Sequence, residues 1–120
     1  MFKEQAKCAC EYKNDTLYAK IDGEIDHHTA KPIREKIDAE MLSYRPKVLR
    51  IDLSAVGFMD SSGLGLILGR SALAEKMDAS ILLYGASARV VKILSMAGVE
   101  RIKNIKFEKS EKKGEKKNEK

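Results

Sequence analysis

Val48-Leu49-Arg50-Ile51-Asp52-Leu53, followed after a short loop by Phe58-Met59-Asp60-Ser61-Ser62-Gly63-Leu64-Gly65-Leu66-Ile67-Leu68-Gly69-Arg70, is the stretch on which the fold turns. The first six residues are a β-branched, apolar-rich run, with Val48, Leu49, Ile51 and Leu53 around Arg50 and Asp52, the composition of a central strand. From Ser62 to Met77 the chain reads as a helix. A buried strand that runs through a short loop into a helix is the building unit of a parallel sheet.

Working outward, Ile81-Leu82-Leu83-Tyr84 is a further buried strand ended by Gly85. Ser87 stands where it can cap a third helix, with Val90, Val91, Leu94 and Met96-Ala97 on or near its apolar face. Gly98 occupies the C-cap position, and Ile102 to Phe107 forms a last short strand. Upstream, Ala6 to Tyr12 alternates as a strand, Asn14-Asp15 marks a turn, and Leu17 to Ile21 is the returning strand of a hairpin. Gly23 breaks that pattern. Thr29 is placed to cap a helix with Pro32 in its first turn and Ile33, Ile37 and Met41 along one stripe, and Arg45-Pro46 stops it. The order predicts an α/β domain: a mixed, mostly parallel sheet of four to five strands, with helices mainly on one face and the other partly open. Residues 1–108 make the domain, and residues 109–120 are a charged tail expected to be disordered.

Composition narrows the function classes. The 120 residues fit a single domain, and the net charge is +5. The stretch KSEKKGEKKNEK from Lys109 supplies +3 of that charge by itself. Elsewhere acidic and basic residues are interspersed, with no basic stripe interleaved with aromatics, so nucleic acid is not the expected partner. No apolar run approaches the ~20 residues of a membrane span, and the N-terminus has no signal-like apolar region. A cytoplasmic protein, mainly monomeric when free, is expected. The two cysteines, Cys8 and Cys10, share one strand face with Ala6 and Tyr12, opposite Lys7, Glu11 and Lys13. They read as reduced, half-buried thiols rather than metal ligands, because no further His or Cys stands at ligand spacing.

The chemistry concentrates between Met59 and Gly69. Two hydroxyls and a carboxylate sit at a helix N-terminus, whose free N–H groups and dipole favour negative charge. Asp60, Ser61 and Ser62 suit helix capping, and Gly65 and Gly69 would then be small residues for close helix–sheet approach. A dinucleotide loop would need glycine where Leu68 stands, and no lysine completes a phosphate-binding loop. A hydrolase would pair Ser61 or Ser62 with His27 or His28, but the serines lack the G-x-S-x-G elbow. Arg70, two turns into the helix, reads as a surface charge.

Two motifs carry a resemblance. Asp52-Leu53-Ser54 with Phe58 to Gly65 and Ile67 to Arg70, and Gly23-Glu24-Ile25-Asp26-His27-His28-Thr29-Ala30, together resemble STAS-domain anti-sigma factor antagonists. The paired histidines and the Ser-Ser pair look like the sporulation branch, which antagonises the anti-sigma-F factor. The resemblance runs from about Cys8 to Glu108. It implies a binding module and not an enzyme. Its partner would be an anti-sigma factor with serine kinase activity, to which ATP and magnesium belong. It also implies that Ser61 is the phosphorylated residue and that a PP2C-type serine phosphatase reverses the modification. The segments from Gly23 to Thr29 and from Met59 to Gly65, both following strand ends, are expected side by side. That puts Glu24, Asp26, His27, Met59, Asp60, Ser62, Gly63 and Gly65 in the expected partner-binding set, with Asp26 either a partner contact or a helix cap.

Overall fold

A computed structural model describes residues 7–110. The residue Ala6 and most of the lysine-glutamate tail expected at residues 109–120 lie outside the described residues. The elements run β1 (Lys7–Lys13), β2 (Thr16–Asp22), α1 (Ala30–Tyr44), β3 (Val48–Ala55), α2 (Ser61–Lys76), β4 (Ser80–Tyr84), α3 (Ala88–Met96), a 3₁₀ turn (Val99–Arg101) and β5 (Ile105–Glu108). The five strands lie in sequence order in one sheet. β1 pairs antiparallel with β2 through the turn at Asn14-Asp15, and every later pair is parallel. Both turn residues have positive φ, as a tight hairpin with these residue types allows.

This topology explains the layering. When each parallel strand is laid beside the last by a crossover of one hand, the connecting helices collect on one face. Strand alternation agrees: Leu17, Ala19 and Ile21 of β2, Leu49, Ile51 and Leu53 of β3, and Ile81 and Leu83 of β4 are all buried. The stripe Ile33, Ile37 and Met41 of α1 joins them, with Leu66 and Ile67 of α2 and Val90 and Leu94 of α3. On the opposite face Arg50 lies 3.9 Å from the Tyr84 ring centre and 5.3 Å from that of Tyr18, and 3.8 Å from Glu108. Cys8, Cys10 and Tyr12 are half-buried at the core margin, as their alternation predicts. The two thiols hydrogen-bond each other, which pushes Cys8 up and Cys10 down from the ordinary thiol pKa.

Three local expectations need correction. Thr29 stands at the N-cap of α1 but its side chain makes no cap hydrogen bond; the Asp26 carboxylate, three residues earlier, accepts from the N–H groups of His28 and Thr29 and braces the turn before the helix. Arg70 is not a surface charge. Its side chain lies between α1 and α2 at 6 % exposure, with Nε 2.8 Å from Asp38 Oδ1 and Nη1 donating to the Leu66 carbonyl. The long aliphatic stem packs between the helices while Asp38 meets the charge. Burial lowers the Arg70 pKa, Asp38 opposes that shift, and nearby Arg34 adds to it. Finally, the alternative that Gly65 and Gly69 allow close helix–sheet approach does not hold, since among the described residues a Cβ at either would meet no atom within 4 Å beyond its own stretch of helix. The close approach is at Gly63, where a Cβ would stand 2.5 Å from Met59 Cβ in the loop that leads into α2.

Candidate functional site

The parallel pairing of β2 and β3 continues past the strand ends and brings the two loops together. Gly23, at φ 117°, turns the chain out of β2 and donates its N–H to the Ala55 carbonyl at 3.1 Å. Ile25 then bridges to Met59: Ile25 N–H donates to the Phe58 carbonyl and Asp60 N–H to the Ile25 carbonyl. Both side chains are buried, which pins the loops to the core. The expected juxtaposition of the two segments is therefore present, held by backbone pairing and by two apolar anchors.

In the first loop the Asp26 carboxylate accepts from the N–H groups of His28, at 2.9 Å, and Thr29, at 3.1 Å. The Thr29 hydroxyl accepts from Asp26 N–H and donates to the Glu24 carbonyl, each at 3.0 Å. The His28 N–H bond, followed by those from Thr29, holds the Asp26 carboxyl below its ordinary pKa. Glu24, His27 and His28 are exposed, and the two imidazoles lie against each other with ring centres 4.0 Å apart. Among the described residues no group of three or more His, Cys, Asp or Glu could hold a metal ion.

In the second loop Asp60 caps α2, accepting from Ser62 N–H at 2.8 Å and Gly63 N–H at 3.4 Å. Ser61 opens the helix, is exposed, and its hydroxyl has no hydrogen-bond partner among the described residues. Ser62 is half-buried and does not cap; it faces a groove of about 520 Å³ between α1 and α2 that His27, Gly65 and Arg34 also line. Met59 and Gly63, expected among the partner contacts, are buried against each other in the chain itself. They shape the surface from beneath and do not form it. Glu24, Asp26, His27, Asp60, Ser62 and Gly65 remain reachable around Ser61.

Sequence reasoning did not anticipate the groove. Its α1 wall comes from Lys31 and Arg34, three apart and so on one helix face, but which helix faces them is not written locally. Phe58, beside the loop, also gains a neighbour from a third segment, with the Arg89 guanidinium 5.4 Å from its ring centre.

Fold and site together define a small α/β binding domain that presents an unengaged serine at a helix start, flanked by capped acidic loops. The STAS domain model matches residues 9–113, and the chain belongs to the STAS-domain family of anti-sigma factor antagonists. It is 32 % identical over 95 residues to an anti-sigma F factor antagonist of Paenibacillus polymyxa, covering 79 % of this chain and 81 % of that one. It is 35 % identical over 93 residues to an anti-sigma-B factor antagonist of Bacillus subtilis, covering 78 % and 83 %. Among solved structures it is similar to the anti-sigma factor antagonist SpoIIAA in its unphosphorylated form, with TM-score 0.74 and 27 % identity over 88 % of this chain and 90 % of that one. The phosphorylated form of Bacillus SpoIIAA matches with TM-score 0.68 and 26 % identity over 88 % and 93 %.

Proposed function

We propose that this chain is a cytoplasmic partner-switching protein whose binding to an anti-sigma factor is turned off by phosphorylation of Ser61. The unmodified chain binds an anti-sigma factor with serine kinase activity and so frees a sigma factor for sporulation transcription. The kinase, with its own ATP and magnesium, transfers phosphate to the Ser61 hydroxyl and the complex dissociates. A PP2C-type serine phosphatase restores the unmodified chain. The similarity to a protein solved in both unphosphorylated and phosphorylated forms supports this reading.

The observation that carries it is the state of Ser61: exposed, first in α2, and free of any hydrogen bond within the chain. A hydroxyl with no internal role can be esterified without disturbing the fold. Asp60 already occupies the N–H groups of Ser62 and Gly63. An added phosphate brings about −1.5 to −2 charges and three acceptor oxygens. The helix dipole tolerates that charge, but the capping N–H groups are taken, so it stays at the surface beside Asp60, Asp26 and Glu24. The result is a local concentration of negative charge at the contact face. Each ~1.4 kcal/mol lost there weakens binding tenfold, so no refolding is needed for a switch.

Tandem mass spectrometry after incubation with the kinase partner and ATP tests the site. Phosphate should appear on Ser61, vanish in Ser61→Ala and persist in Ser62→Ala. Incorporation into Ser61→Ala and not into Ser62→Ala would overturn the assignment.

A further inference from the structure

The groove between α1 and α2 carries chemistry that the phosphorylation site does not use. Arg34 and Lys31 stand on its α1 wall, and Ser62, Gly65 and Gly69 form its α2 wall. Cations are in excess there. Asp38 neutralises the buried guanidinium of Arg70, but Arg34 has no hydrogen bond or ion pair among the described residues, and its charge acts on Arg70. Lys31 has only an exposed contact with Glu35 at 4.0 Å. Two like charges held at one groove with a single close carboxylate leave room for an anion from outside.

The glycines point the same way. Within a helix interior glycine is less favourable than alanine. At Gly65 and Gly69 nothing in the fold requires the missing side chain, in contrast to Gly63 beneath them. Their bare backbone extends the groove along ~6 Å of helix, the rise of four residues. That length of open surface suits a polypeptide segment; a free anion would need the Arg34 end alone.

We propose that this groove docks an acidic segment of the kinase partner, seated against Gly65 and Gly69 with its carboxylates on Arg34 and Lys31. The inference rests on the partner-switching reading and extends it from Ser61 to a second contact. The surface is then bipolar, with Glu24 and Asp26 on the loop and Lys31 and Arg34 on the adjoining helix. A partner must carry the reverse pattern, and two opposite patches side by side fix the orientation in which Ser61 meets the kinase.

The test is calorimetric titration of an anti-sigma factor of the serine-kinase class with unphosphorylated wild type, Arg34→Glu, and a Gly65→Ala, Gly69→Ala double variant. Thermal unfolding and sedimentation of each chain are measured alongside. Reversal at Arg34 should weaken binding about tenfold or more and make its dependence on salt shallower than that of wild type. The double alanine variant should melt at the same temperature as wild type or higher, yet bind about tenfold more weakly. Either variant binding within about twofold of wild type would overturn the groove while leaving the Ser61 reading standing. A lower melting temperature for the double variant would show that the glycines serve the chain's own packing, and overturns the inference too. Wild-type dimerisation that the same variants abolish would place a second copy there instead. Failure of wild type to bind at all strikes the partner-switching reading itself.

Discussion

Two neighbouring loops of this molecule use the same device and end in different states. In each, an aspartate accepts hydrogen bonds from the N–H groups two and three residues ahead: Asp26 from His28 and Thr29, Asp60 from Ser62 and Gly63. The difference lies in the hydroxyl. In the first loop Thr29, buried, is tied to Asp26 N–H and to the Glu24 carbonyl. In the second, Ser61 is exposed and tied to nothing among the described residues. A hydroxyl three residues past the capping aspartate folds back over the turn, whereas one directly after it opens the helix facing outward. One loop is a brace and the other, leaning on it, presents a free hydroxyl.

Breaking the support should have the largest effect on stability. Gly63→Ala places a methyl group where Met59 Cβ stands 2.5 Å away, and neither the bridge from Ile25 to Met59 nor the cap can shift freely. Denaturant unfolding should show a loss of about 1–3 kcal/mol, the usual range for overpacking. An unchanged midpoint would mean that α2 is not seated on Met59 as described. Removing the second cap is a smaller insult: Asp60→Ala should cost about 1 kcal/mol, through the lost bonds to Ser62 and Gly63. No loss by the same measurement would contradict the shared role of the two aspartates.

The smallest effect is a pH dependence in the first loop. The Asp26 carboxyl is held below its ordinary value, so its contribution is present above 3.8 and is lost as pH falls through the lowered folded-state pKa. The difference in melting temperature between wild type and Asp26→Asn should therefore be constant through neutral pH and close below about pH 4. A gap that widens on acidification would reverse the sign and remove Asp26 as a charged brace.

The brace was legible because it depends on strand ends and on short-range hydrogen bonds. The alternation of Leu17 to Ile21 and the run from Val48 to Leu53 place both loops at one edge, and Ile33, Ile37 and Met41 give α1 its buried stripe. Thr29 does stand at the N-cap of α1, but its hydroxyl is spent on Asp26 N–H and the Glu24 carbonyl, a pairing the hydroxyl's place next to the helix does not reveal. Arg70 and the groove were not legible at all. Both depend on α1 packing beside α2, which brings Asp38 to Arg70 across 32 residues, and no local pattern records that pairing. The same holds for Asn104, whose side chain bonds Ser71 and the Ala79 carbonyl and ties α2 to the loop before β5. The alternative of Gly65 and Gly69 as internal packing fails for a related reason. Their spacing is visible in the sequence, but the empty space above them is not.

The central claim is that the Ser61 hydroxyl is the switch. The most direct test is a pair of titrations of the serine-kinase anti-sigma factor, one with the unmodified chain and one with the chain phosphorylated stoichiometrically at Ser61. Circular dichroism should be unchanged between the two, because the hydroxyl has no partner to lose. Affinity should fall by about a hundredfold or more, corresponding to about 3 kcal/mol at a face already carrying Glu24, Asp26 and Asp60. Equal affinity of the two forms would contradict the account, however well the fold is preserved.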